Sequence, residues 1–244
     1  MIFHGHGKDK NEHFCIFTGT CIFHEHEQQR VCQRGNDRNP YYFSLVTQRK
    51  KAIQLRNTSD QPYIINIHVE DERGSDKNVP FMPTPQTFRM EAAAGQALRL
   101  LYTGDNLPQD RESVFWFSFS QLPYLNKNDK SQNQLILALT NRVKIFYRPS
   151  SIVGKSSDAP KNLTYQVKQN RIEVTNPTGY YVVIRAAELL NNGKKVPLAN
   201  SVMIAPQSTT EWTLRSGISV APGAQIHLVT VNDYGVNVTS EHAL

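Results

Sequence analysis

Asn133-Gln134-Leu135-Ile136-Leu137-Ala138-Leu139-Thr140-Asn141-Arg142-Val143-Lys144-Ile145-Phe146-Tyr147-Arg148-Pro149 decides how the chain folds. Side chains alternate across an extended strand, so Leu135, Leu137 and Leu139 share one face and Ile136 and Ala138 point to the other. A strand apolar on both sides is either sandwiched in a core or keeps one face for a partner. The alternation continues through Val143, Ile145 and Tyr147, with Lys144 set among them, and Arg148-Pro149 closes the strand because proline cannot continue a ladder.

Outward from this stretch the chain reads as β on both sides. Upstream, Ala52–Asn57, Tyr63–Val69, Phe88–Glu91, Gln96–Tyr102 and Val114–Phe119 alternate apolar with polar or smaller residues. Turn clusters such as Asn57-Thr58-Ser59-Asp60-Gln61-Pro62 separate them. Phe81-Met82-Pro83-Thr84-Pro85 has two prolines and reads as an edge or bent segment, with Thr84-Pro85 a candidate for a cis bond. Downstream, Ser150 to Lys161 is rich in Ser, Gly, Asp and Pro and reads as a hinge. Leu163–Val167, Arg171–Thr175, Tyr180–Ala187, Ser201–Ile204, Glu211–Leu214 and Gln225–Asn232 then form a second set of strands. Short strands at this spacing predict an all-β protein of two immunoglobulin-like sandwiches, over 41–150 and 162–244, joined by a linker at 151–161.

Residues 1–40 look unlike the rest. Five of the chain's eight histidines and all three cysteines fall here or close to it: His4, His6, His13, His24, His26, Cys15, Cys21 and Cys32. Thiolates and imidazoles suit zinc, but the spacing matches no standard zinc module, so no metal is expected. Neither periodicity nor enough apolar surface is present to offset ordering entropy, so 1–38 is expected to be disordered or loosely attached. Tyr42–Val46 is β-prone enough to pair with the sandwich, with Pro40 marking its start.

The chain has 244 residues, 39% hydrophobic and 20% charged, with formal net charge +6. That composition is globular. Arg49-Lys50-Lys51 is its longest basic run, which argues against a nucleic-acid partner. No window is long and apolar enough to span a membrane, and no signal peptide is visible in the opening residues. No motif reads as catalytic. G-x-S-x-G, H-E-x-x-H and a phosphate-cradling glycine loop are missing, and His68, His227 and His242 have no neighbouring nucleophile, so neither an enzyme nor a cofactor is expected.

Three separated motifs carry a resemblance. Leu107-Pro108-Gln109-Asp110-Arg111-Glu112-Ser113, the run from Leu135 to Pro149, and Asn232-Asp233-Tyr234-Gly235 together closely resemble the periplasmic pilus-assembly (PapD-like) chaperones, from about Ala52 to the C-terminus. The short, cysteine-free loop before the leucine row is similar to the branch that serves adhesive pili. The resemblance implies two sandwich domains at an angle, in a boomerang. It implies a periplasmic chaperone that caps pilus subunits by donating the strand of Leu135, Leu137 and Leu139 and delivers them to an outer-membrane usher. It also implies that Lys144 binds the C-terminal carboxylate of a subunit in the cleft between domains, together with an arginine of the first strand. That arginine has no counterpart here: the expected T-R pair is missing before Ala52, gapless alignment reaches Tyr41, and Arg38 sits in a different context. Glu112, Arg148 and Asp233 are implied to form an ion network between the domains. The resemblance does not reach the opening segment, which reads as unrelated to the domain's natural start, so export and activity of this version are expected to be impaired. A structural or adhesive pair of sandwiches, with the leucines as ordinary core, is the alternative.

Overall fold

A computed structural model of the chain describes the backbone of residues 2–6, 13–17, 42–46, 50–104, 107–124, 137–215 and 217–244, with side chains from 52 onward within those ranges. The chain divides into two compact units, the second comprising Pro108–Glu112 and Arg148–Leu244 among the described residues.

The first unit holds strands β1 (Ile2–His6), β2 (His13–Phe17), β3 (Tyr42–Val46), β4 (Lys50–Arg56), β5 (Tyr63–Glu70), β6 (Phe81–Thr84), β7 (Thr87–Met90), β8 (Gly95–Tyr102), β9 (Ser113–Pro123) and β10 (Leu139–Arg148), the last residue of which falls in the second unit. One sheet has the order β2-β1-β4-β8-β6 and the other β3-β10-β9-β5-β7. The alternation seen in the sequence explains the packing. Ile53, Leu55, Leu98 and Leu100 from the first sheet meet Ile65, Ile67, Phe115, Phe117, Phe119, Val143 and Ile145 from the second in one core. Two sheets that each bury one face form a sandwich. β6 lies at a sheet edge, Pro83 falls within it, and the Thr84-Pro85 bond is cis.

The structure adds to the sequence reading before Tyr41, where no strand is expected. β1 runs antiparallel to β4, with Phe3 opposite Leu55, and β2 folds back on β1. The physical reason is the row of main-chain N–H and C=O groups along β4, which pairs with another strand whatever its side-chain pattern. β3 lies within the stretch expected to pair, beside β10.

The second unit holds β11 (Thr164–Lys168), β12 (Arg171–Asn176), β13 (Val182–Asn191), β14 (Lys194–Ile204), β15 (Ser208–Thr213), β16 (Gln225–Val231) and β17 (Asn237–Ala243). The sheets are β11-β12-β15 and β14-β13-β16-β17. Ile172, Val174, Ile184, Leu189, Trp212, Ile226 and Leu228 are buried between them. Residues 151–161, read as a hinge from composition, carry Ile152 and Ala159 into this same core, and Ser156–Asn162 forms a short 3-10 helix.

Each unit has a corner built the same way. Asn57 donates from Nδ2 to the carbonyls of Gln61 and Glu91, while its Oδ1 accepts from the N–H and hydroxyl of Ser59. Asn176 donates to the carbonyls of Tyr180 and Ala205, and its Oδ1 accepts from the N–H and hydroxyl of Thr178. Both asparagines are buried, and each is kept there by satisfying amide donors and acceptor together.

Candidate functional site

The expected strand from Leu135 to Tyr147 is shorter in the structure. Leu135 lies outside the described residues, and β10 begins at Leu139, paired with Gln121. Continuing that register would set Leu137 opposite Pro123, which has no N–H for a ladder. Leu137 is 64% exposed and Leu139 44% exposed. Both share parity with Val143 and Ile145, which are buried in the core. Leu137 and Leu139 therefore continue the inward face of β10, but they meet solvent where Val143 and Ile145 meet the core.

On the opposite face of β10, Lys144 stands directly across from Trp116 of β9. Its Nζ lies 5.2 Å from the centroid of the indole ring. Arg142, one pair further along, places its Cζ 4.8 Å from the same ring. Glu70 of β5, across from Trp116 on the other side, receives Arg142 at 2.7 Å and His68 Nε2 at 2.6 Å. Lys144 has no carboxylate within ion-pair distance among the described residues. Burial pushes its pKa below that of an ordinary lysine. A half-buried, uncompensated ammonium is a ready site for an anion.

Arg148, four residues on, is placed differently. Its Nε donates to Glu112 Oε1 at 2.5 Å, and its two terminal nitrogens donate to Asp233 at 2.6 and 2.9 Å. The fixed fork of guanidinium donors suits two carboxylates. Glu112 also accepts from the backbone N–H of Tyr181 at 2.7 Å, and Asp233 from the Ser156 hydroxyl at 2.7 Å. Glu112, Arg148 and Asp233 all belong to the second unit. Local structure explains the motifs: Asn232 Oδ1 accepts from the N–H groups of Tyr234 and Val236, and Gly235 takes a φ of 73°, which turns the chain and presents Asp233. Gly179 sits so close to residues 110–111 that a Cβ would lie 2.6 Å from the Asp110 carbonyl, and its own carbonyl accepts the Glu112 N–H at 2.8 Å.

The electrostatics differ within this cluster. Burial raises the pKa of Glu112, against the pull of Arg148 and the Tyr181 N–H. Burial would also raise Asp233, but its bonds to Arg148 and Ser156 outweigh that and hold it below the ordinary carboxylate value. Arg148 is held above its ordinary value, since its bonds and attraction to the two carboxylates outweigh desolvation.

Sequence reasoning singled out Lys144, Glu112, Arg148 and Asp233; it did not single out Trp116, Arg142, Glu70, Ser156 and Gly179, which the structure places beside them. Trp116, Arg142 and Glu70 meet only through the β5–β9–β10 register, which a linear reading does not supply. Of the residues considered for zinc, Cys21, His24, His26 and Cys32 lie outside the described residues, as does the side chain of Cys15.

Two family models match the chain in order: a pili and flagellar-assembly chaperone, PapD N-terminal domain, over residues 45–153, and a pili assembly chaperone PapD, C-terminal domain, over residues 158–242. The probable fimbrial chaperone YadV of Escherichia coli K12 is 35% identical over 77% of this chain and 80% of its own length. The chain belongs to the pili assembly chaperone family. FimC of an Escherichia coli O6:H1 strain is 32% identical over 76% of this chain and 75% of its own length. The crystal structure of the YadV chaperone superposes with a TM-score of 0.71 at 32% identity, covering 83% of this chain and 97% of that one. The first of the two family models begins at residue 45.

Proposed function

We propose that this protein is a periplasmic chaperone for pilus subunits, which it caps by strand donation and hands to an outer-membrane usher. The observation that carries this reading is the exposure of Leu137 and Leu139 at the head of a strand whose same face supplies Val143 and Ile145 to the core. In strand addition, of which chaperone–pilin complexes are a known instance, main-chain bonds provide sequence-tolerant affinity and alternate side chains fill pockets. Burial of Leu135, Leu137 and Leu139 contributes roughly 5–9 kcal/mol gross, before the costs of association. Lys144 receives the subunit's C-terminal carboxylate, which sets the register in which the leucines reach their pockets. Glu112 ends one segment of the second unit and Arg148 begins the other, and their ion cluster with Asp233 clamps both segments in place.

The test is Leu137→Asp, co-expressed with a strand-deficient fimbrial subunit. The variant is expected to stay folded and to lose the soluble complex, because a carboxylate enters an apolar pocket unpaired. Unfolding of the chaperone itself would place Leu137 in its own core and favour a purely structural sandwich.

A further inference from the structure

We propose that Trp116 is a positioning residue for the carboxylate-binding lysine: its indole face holds the Lys144 ammonium in place for the terminal carboxylate of an incoming peptide. This rests on the reading of Lys144 as the carboxylate anchor.

Three observations converge on it. The strand register sets Trp116 between Glu70 and Lys144, each directly across from it on a neighbouring strand. The ring faces two cations, with Lys144 Nζ at 5.2 Å and Arg142 Cζ at 4.8 Å, both within cation–π range. Only one of these cations is neutralised. Glu70 pairs with Arg142 through Oε2 at 2.7 Å and with His68 through Oε1 at 2.6 Å, and no carboxylate lies within ion-pair distance of Lys144 among the described residues. Arg142 is thereby balanced and fixed, and Lys144 remains as the cation that an anion can take.

The π face does what a carboxylate in that place would not. A second acid beside Lys144 would hold the ammonium but also compete with the ligand. An aromatic ring attracts the cation weakly and leaves its N–H donors available. A lysine side chain has four flexible bonds, and confining it beforehand reduces the ordering lost on binding. The burial that makes the free ammonium less comfortable adds to its preference for a partner.

The experiment uses the full chain and a fluorescently labelled peptide with the C-terminal sequence of a fimbrial subunit, prepared once with a free carboxylate and once as the amide. The readout is the ratio of the two affinities by fluorescence polarisation. Trp116→Leu is expected to lower that ratio about tenfold, and Trp116→Phe to restore most of it. With Lys144→Met already present, Trp116→Leu is expected to change the ratio no further. Trp116→Met serves as a second non-aromatic variant should the leucine variant fail to fold. An equal loss for carboxylate and amide peptides, or a similar loss with Phe and Leu, would make Trp116 a packing residue and overturn the inference. A ratio unchanged by Lys144→Met alone would instead overturn the assignment of the anchor.

Discussion

Lys144 and Arg148 are four residues apart on one strand, and they are treated in opposite ways. Arg148 is enclosed by two carboxylates, each held in turn by a further donor, Tyr181 N–H on Glu112 and Ser156 on Asp233. Lys144 rests on an aromatic face with no carboxylate beside it among the described residues. A cation whose partners are all supplied by its own chain has little left to offer a ligand. One whose partner is missing is half-way to binding. If the proposed roles hold, substitutions at the two positions are expected to separate stability from binding.

The largest effect is expected from Arg148→Ala. It leaves Glu112, whose side chain is only 2% exposed, as a buried charge without its cation. Breaking a buried pair from one side destabilises by about 3–5 kcal/mol. The two tryptophans fall in different units, Trp116 in the first and Trp212 in the second. Denaturation of Arg148→Ala in a Trp116→Phe background, followed by Trp212 fluorescence, therefore reads the second unit alone. A loss below about 1 kcal/mol would place the cluster among ordinary surface pairs.

Asp233→Asn is expected to have a smaller effect, about 1–2 kcal/mol at neutral pH. The pH dependence sharpens it. Asp233 has a folded-state pKa below its ordinary value, so its contribution is fully present above the unfolded value near 4 and fades as pH falls through the folded one. The stability gap between wild type and Asp233→Asn should therefore close on acidification below about pH 4. Glu112, with its pKa raised, works in the opposite sense, favouring the folded state less as pH rises through the carboxylate range. A gap that widens in acid would contradict the sign assigned to Asp233.

The smallest stability effect is expected at Lys144. Lys144→Ala should shift unfolding by no more than about 0.5 kcal/mol, yet lose most subunit capture in co-purification. Equal yields of complex with and without Lys144 would remove the distinction between the two cations as far as function is concerned.

The sequence made the strands with one buried face plain and left parts of two end strands obscure. Tyr63–Val69, Arg171–Thr175 and Gln225–Asn232 alternate cleanly because one face is buried, and β5, β12 and β16 coincide with them to within a residue. β17 and the first half of β14 went unread. Both strands lie at the ends of a sheet, held on one side by main-chain bonds, and β17 has mostly polar residues that buried packing does not constrain. The segment 151–161 misled through composition: its serines, glycine and proline suggest a free linker, but Ser156 is bonded to Asp233 and Ala159 is buried. At the site, the ion cluster was legible because its residues sit in recognisable motifs. Trp116 and Glu70 were not, because their significance exists only once three strands lie side by side.

The open edges of the sheets have a consequence for the protein in a crowded compartment. β14 ends its sheet with Lys194, Lys195 and Pro197 exposed, and β6 ends another with Pro83 in place of an N–H donor. Charges and prolines at such positions discourage a second copy from zipping onto the edge. For a protein whose proposed work is to join strands with others, these two ends are built against adding a copy of the same chain.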